Sequence, residues 1–164
     1  MRRTALFLFF LLVLLLPGQA AGFPAVLERA ADGDSLYVRL QDGRSEEVRL
    51  IGLDTPELAQ EWGGQAREFS ESFCRGGRLE LALDREQRDR YGRLLAYVWR
   101  DGRMLNEALL QAGLAVTLPI KPNTAFARRF RQAQEQAQAG LRGFWAQGGL
   151  EMSPSRFRKL HPRK

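Results

Sequence analysis

The chain has 164 residues, 45% of them hydrophobic and 27% charged, with 25 Lys and Arg against 19 Asp and Glu for a formal charge of +6. That length fits one domain with short extensions, and the composition excludes wholesale disorder and collagen-like repeats. A single cysteine (Cys74) and a single histidine (His161) leave no material for an internal disulfide, a Ser-His-Asp triad or a multi-histidine zinc centre, so catalysis would need carboxylates, arginines, hydroxyls or an oxygen-bound metal.

The N-terminus reads as an export signal over residues 1–20. Arg2 and Arg3 precede an unbroken apolar run from Ala5 to Leu16, Pro17-Gly18 breaks it, and Gly18-Gln19-Ala20 offers small residues for cleavage. The run is short for a membrane-spanning helix. A periplasmic or secreted protein is therefore expected, with an uncleaved membrane anchor as the alternative. The paired arginines lack the rest of a twin-arginine signal, which favours a general export route.

Removing residues 1–20 leaves 23 positive against 19 negative groups. Setting aside the five bases of the final stretch (Arg156, Arg158, Lys159, Arg163 and Lys164) leaves 18 against 19, so the body between is not basic. Residues 21–147 are read as the folded domain and 148–164 as a basic tail. On charge alone the tail would capture a polyanion, approach an anionic membrane or wall, or solubilise the chain.

Phe23 to Ala31 is a first strand, ending at Asp32-Gly33-Asp34. Leu36, Val38 and Leu40 alternate with Tyr37 and Arg39 as a half-buried second strand, and Asp42-Gly43 signals a hairpin. Glu47 to Leu53 returns as a third strand, placing Arg49 on one face with Ile51 and Leu53. Gly64 to Arg75 is a helix, on which Cys74 is a core residue. Leu79, Leu81 and Leu83 line one face of a fourth strand, and Leu94 to Trp99 is apolar and aromatic enough for a strand buried on both sides. Asp101-Gly102 turns the chain into a helix over Met104 to Ala112. Thr124 caps a last helix carrying Phe126, Phe130, Ala133 and Ala137 on one stripe. Five strands with a helix between the third and fourth predict a β-barrel with helices (α+β): a five-stranded OB-type barrel with three helices.

Three clusters carry candidate chemistry. Asp32-Gly33-Asp34-Ser35 is either a turn or a carboxylate aimed at a hard cation. Arg49 to Glu57 holds an arginine among large apolar residues, which needs a partner if buried, and two acids three positions apart. There Thr55-Pro56 with Glu57 is either a helix start or part of a metal-assisted hydrolase site, one acid holding a cation and the other taking a proton from water. Asp89-Arg90-Tyr91-Gly92-Arg93 is either a solvated turn or a loop that aims a guanidinium at phosphate. Together they suit phosphodiester hydrolysis, in which stabilising developing negative charge matters most.

These motifs, with Asn106-Glu107-Ala108-Leu109, Gly113-Leu114-Ala115, Lys121-Pro122 and Gly143-Phe144-Trp145, occur in order over residues 24–146. In that order the chain resembles the staphylococcal nuclease (thermonuclease) family. The resemblance implies an OB-type barrel and a calcium-dependent nuclease cleaving DNA, with RNA as a further substrate. It implies Asp34 and Asp54 as calcium ligands with the Thr55 carbonyl, and Glu57 as the general base. It implies Arg49 and Arg93 as the arginines that grip phosphate, and Arg90 and Tyr91 as substrate contacts. The chain departs from the family pattern at Val116-Thr117-Leu118-Pro119-Ile120-Lys121, where nucleotide-stacking tyrosines are expected and no aromatic residue stands. Trp62, after Glu57, is either an aromatic surface for substrate or a core residue, and large apolar groups favour burial. Single strands are the easier substrate because their phosphates can enter a cleft, and a monomer is expected. The competing classes are a non-catalytic OB-type nucleic-acid-binding module and a structural envelope protein sharing the fold.

Overall fold

The computed structural model describes residues 22–162. The export-signal reading, and Arg163 and Lys164 of the tail, lie outside the described residues.

Alternation builds the barrel. β1 (Phe23–Ala30), β2 (Ser35–Leu40) and β3 (Ser45–Leu50) turn Ala25, Leu36, Val38, Val48 and Leu50 into the core. After the two-residue β4 (Leu53–Asp54), β5 (Arg78–Ala82) adds Leu79 and Leu81, and β6 (Leu94–Arg100) adds Ala96 and Val98. Antiparallel ladders run in the order β3-β2-β1-β5-β6, and a parallel pairing of β3 with β6 closes the ring. A register shift between Leu27 and Arg29 of β1 supplies the local twist that closure needs. The five-stranded OB-type barrel expected from the sequence is therefore present.

The three expected helices form as α1 (Gly63–Cys74), α2 (Leu105–Gln111) and α3 (Ala127–Ala139). Tyr97 of β6 explains why that strand is apolar on both sides. Its ring packs edge-on against Phe126 at 4.6 Å and Phe130 at 6.0 Å, which seats α3 on the barrel. Asn106 of α2 is fully buried and fully used. It accepts from the Val98 N–H and donates to the carbonyls of Ile51 and Ala96, tying α2 to β6 and to the turn after β3.

Four local expectations need correction. The third strand does not run to Leu53: it stops at Leu50, and Gly52 at φ +84° turns the chain, because a Cβ there would meet the Phe130 ring at 2.7 Å. Leu53 and Asp54 then form β4, which pairs with β8 (Val116–Thr117); β7 (Arg103–Met104) extends the hairpin from β6. Thr124 does not cap α3 with its side chain; its carbonyl accepts from the Ala127 N–H, and the helix starts without a side-chain cap. Thr55-Pro56-Glu57 starts no helix, since α1 begins at Gly63 after Trp62, whose ring packs against the core. The tail contains a fourth helix, α4 (Pro154–Leu160), after a 3-10 turn over Gly143–Gln147. Ser153 caps it by accepting from the Arg156 N–H at 3.4 Å, and Pro154 stands at its first turn.

Cys74 is buried at the end of α1, and burial pushes its thiol up to about 12. It should resist thiol reagents at pH 8 in the folded protein and react fully once unfolded. Above about pH 9 the unfolded thiol loses its proton while the folded one keeps it, so stability should fall as pH rises toward 12. A Cys74→Ala variant should show a smaller decline in urea midpoint over that range.

Candidate active site

The turn between β1 and β2 delivers Asp34. Its backbone is fixed at both ends: the Asp34 N–H donates to Asp32 Oδ1 at 3.1 Å, and its carbonyl accepts from the Leu50 N–H at 2.9 Å. Gly33 makes this approach possible, because a Cβ there would stand 2.7 Å from the Ala66 Cβ and 2.8 Å from Thr55 Oγ1. The Ser70 hydroxyl donates to the Gly33 carbonyl at 2.6 Å, so α1 buttresses the turn. Asp34 Oδ2 accepts from the Thr55 N–H at 2.8 Å, which joins the first candidate cluster to the second.

Arg49 lies on β3 beside that turn, paired in register with Ser35 on one side and Leu95 on the other. Its guanidinium forms an ion pair with Asp34 and donates to Asp54 Oδ1 at 3.0 Å and to the Leu53 carbonyl at 3.2 Å. The partner that a buried arginine requires is thus a pair of acids, themselves 4% and 2% exposed. Burial pushes Arg49 below the ordinary arginine range, against the pull of Asp54 and Asp32, and repulsion from Arg93 adds to the lowering. Arginine still keeps its proton in such a setting.

Arg93 comes from the loop before β6. The β3–β6 pairing sets Val48 opposite Leu94, so Arg93 stands at the same end of the barrel as Arg49. Asp89 orients it: Asp89 Oδ2 accepts from Arg93 Nε at 2.8 Å, and Oδ1 accepts from the backbone N–H groups of Arg93 at 3.0 Å and Tyr91 at 2.9 Å. Burial raises the Asp89 pKa, but these hydrogen bonds outweigh it and hold the carboxyl below its ordinary range. The loop is clamped further by Arg88, which grips Glu46 through two bonds of 2.9 Å and donates to the Gly92 carbonyl at 2.7 Å. Arg90 stacks over Tyr91 at 4.8 Å and bonds its hydroxyl, and Tyr91 is 69% exposed. Both stand at the loop's outer rim, an aromatic surface open to solvent.

Glu57 follows Asp54 by three residues on the segment leaving β4. Its N–H donates to Gln60 Oε1 at 2.9 Å, and its carbonyl accepts from the Gln60 N–H at 2.8 Å. Gly63 packs directly against the Glu57 carbonyl, so this loop has no room for a side chain there.

One residue here is absent from the sequence-based expectation. Arg158 of α4 donates to Asp54 Oδ1 and Oδ2, each at 2.9 Å, and to Glu57 Oε1 at 2.8 Å. The hydrogen bonds to Asp54 and Glu57 raise its pKa above the ordinary arginine range, although burial works against them. The sequence signal for this helix is Ser153-Pro154, a cap followed by a proline, hidden within a stretch read as tail.

The donor set is consistent with a hard cation. Asp34 and Asp54 are nearly inaccessible carboxylates already answered by positive groups, and the Thr55 backbone lies against Asp34. Among the described residues no three His, Cys, Asp or Glu side chains form a ready cage. An ion would therefore rely on two carboxylates, a carbonyl and water, as calcium tolerates.

Comparison with known proteins agrees with this geometry. The family of staphylococcal nuclease homologues matches residues 47–147, a span that includes Arg49, Asp54, Glu57 and Arg93 and leaves Asp34 and Arg158 outside. The chain is 38% identical over 124 residues to a thermonuclease of Staphylococcus hyicus, covering 72% of this chain and 73% of that protein. It is 37% identical over 131 residues to endonuclease YncB of Bacillus subtilis (strain 168), covering 75% of this chain and 62% of that protein. A thermonuclease of Staphylococcus intermedius is 38% identical over 126 residues. With the barrel, the paired acids and the two arginines in place, the chain belongs to the family of staphylococcal nuclease homologues.

Proposed function

We propose that this protein is an exported, calcium-dependent nuclease that cleaves DNA, with RNA as a further substrate. That it is a phosphodiester-hydrolysing nuclease follows from its family and from its thermonuclease and endonuclease relatives. The finer reading rests on one observation: Arg49 is bonded to both Asp34 and Asp54, with Glu57 three residues on and Arg93 close enough to act on its charge.

In this reading Asp34, Asp54 and the Thr55 carbonyl hold calcium, which would supply positive charge against the phosphate oxygens. Glu57, its backbone held by Gln60, takes a proton from the attacking water. Arg49 and Arg93 bring guanidinium charge to the phosphate and stabilise the charge that builds on it. Asp89 holds Arg93 through both Nε and Nη2, so this guanidinium need not be ordered during the reaction. Arg90 and Tyr91 offer a stacking and phosphate-contacting rim to the nucleotide. Val116-Thr117 pairs with β4 and carries no aromatic ring, which favours the exposed Tyr91 for base contact in this reading. A site that reads backbone charge has no need of base sequence. The export reading rests on the signal-like sequence of residues 1–20, and the monomer reading on all the candidate site residues belonging to one chain.

The test is cleavage of single-stranded DNA, duplex DNA and RNA by the mature protein, with calcium or with chelator. Calcium-stimulated cleavage, fastest on single strands and abolished by chelator, is expected. Binding that persists in chelator with no cleavage in calcium would instead establish a binding module.

A further inference from the structure

Arg158 answers the acids that a cation would need. Asp54 is 2% exposed, and its two oxygens together receive three guanidinium bonds: two from Arg158 and one from Arg49. The same Arg158 guanidinium reaches Glu57. One side chain from the far end of the chain thus engages a calcium-ligand candidate and the candidate base together. Arg158 occupies both Asp54 oxygens, whereas Arg49 engages Oδ1 alone, so a divalent cation that takes Asp54 must displace at least one Arg158 bond against the repulsion of like charges.

The helix that brings Arg158 is lightly held. α4 has seven residues, too few to persist as an isolated helix. Pro154 is its one buried residue, and the segment before it is tied to the site by the Gln60 side-chain amide, which donates to the Met152 carbonyl at 3.1 Å. Arg158 itself remains 39% exposed, so its contact borders solvent and can open to water. Arg156 and Lys159 leave the helix with no acid of its own.

We propose that α4 is an intramolecular latch in which Arg158 competes with calcium for Asp54 and withholds Glu57 until the metal displaces it. This rests on the calcium-dependent reading of the same site. Because the competitor is tethered, it acts at a fixed effective concentration whatever the protein concentration. If the latch is closed about nine-tenths of the time, calcium affinity is lowered about tenfold relative to a chain without it.

The experiment is calorimetric titration of calcium into the wild-type protein and into Arg158→Ala, Arg156→Ala and Pro154→Gly at one ionic strength. Calcium stimulation of DNA cleavage by the wild type is measured in parallel. Arg158→Ala should bind calcium about tenfold more tightly. Arg156→Ala, which removes the same charge two residues away, should stay within about twofold of wild type. Pro154→Gly loosens α4 and leaves Arg158 in place, so it should shift affinity in the same direction by less, and it serves if Arg158→Ala fails to fold. Unchanged or weaker calcium binding by Arg158→Ala, with the wild type still stimulated by calcium, overturns the latch and leaves the nuclease reading standing. Absence of calcium binding in wild type and variant alike overturns both.

Discussion

Glu57→Gln should lower kcat on single-stranded DNA by about 10²–10⁴-fold, with KM near the wild-type value. On the proposed roles, glutamine keeps the shape and removes the base, so substrate held by the arginines and the rim should still bind. The backbone bonds between Glu57 and Gln60 do not involve the carboxylate and should survive, leaving the fold unchanged. The measurement is single-turnover cleavage with calcium saturating, alongside a thermal melt. A variant that melts like wild type and cuts at the wild-type rate would remove Glu57 from the proton transfer and move the search for the base elsewhere.

Arg49 and Arg93 should separate when stability and turnover are read together. Arg93→Ala should lower kcat by about 10²–10³-fold, the loss typical of one group that stabilises transition-state charge. Its partner Asp89 is 18% exposed in a loop that Arg88 clamps independently, so stability should change little. Arg49→Met should lose comparable activity and also about 3–5 kcal/mol of stability, because it strips a cation from buried acids. Asp34 and Asp54 would then face each other at 4% and 2% exposure with one guanidinium fewer between them. Calcium should return part of that stability by binding the folded state at the same carboxylates. Denaturant melts with and without calcium, paired with cleavage rates, measure both effects. Equal stability losses for the two variants would show that Arg49 does not serve as the counter-ion of the buried acids.

The parts of the fold that were legible in the sequence are those governed by period. Leu36 and Val38, then Leu79 and Leu81, alternate because each strand has one face inward, and that rule needs no tertiary information. The break after Leu50 was illegible because Ile51 and Leu53 are as apolar as a continuing strand. Only the nearness of Phe130, from α3, requires the turn at Gly52. The cap of α3 failed for a related reason: Thr124 sits in a turn whose backbone carbonyl does the work that a hydroxyl was expected to do.

At the site, Arg49 announced its need for a counter-ion by standing among apolar neighbours, and Asp34 and Asp54 were within reach of that inference. Arg158 was not. Its contact with Asp54 spans 104 positions, and its residue type looked like one more tail charge. Net charge hid it too: residues 21–151, with 18 bases and 19 acids, give no hint that a buried acid among them is answered by an arginine further along the chain. Where a helix is only seven residues long, its cap and proline are the sole local trace, and the partner it serves leaves none.

The parallel pairing of β3 with β6 has a consequence for the order of folding. It is the contact between strands far apart in sequence that closes the barrel, and such contacts form slowly because a long loop must first be closed. Arg49 and Arg93 come from the two sides of that seam. A newly made chain therefore carries every reactive side chain long before it has a reaction centre. Until the seam zips, the acids are hydrated and the arginines are scattered along a flexible polymer. For an enzyme that attacks nucleic acid, that delay is a safeguard: the unfolded chain is chemically complete and catalytically mute.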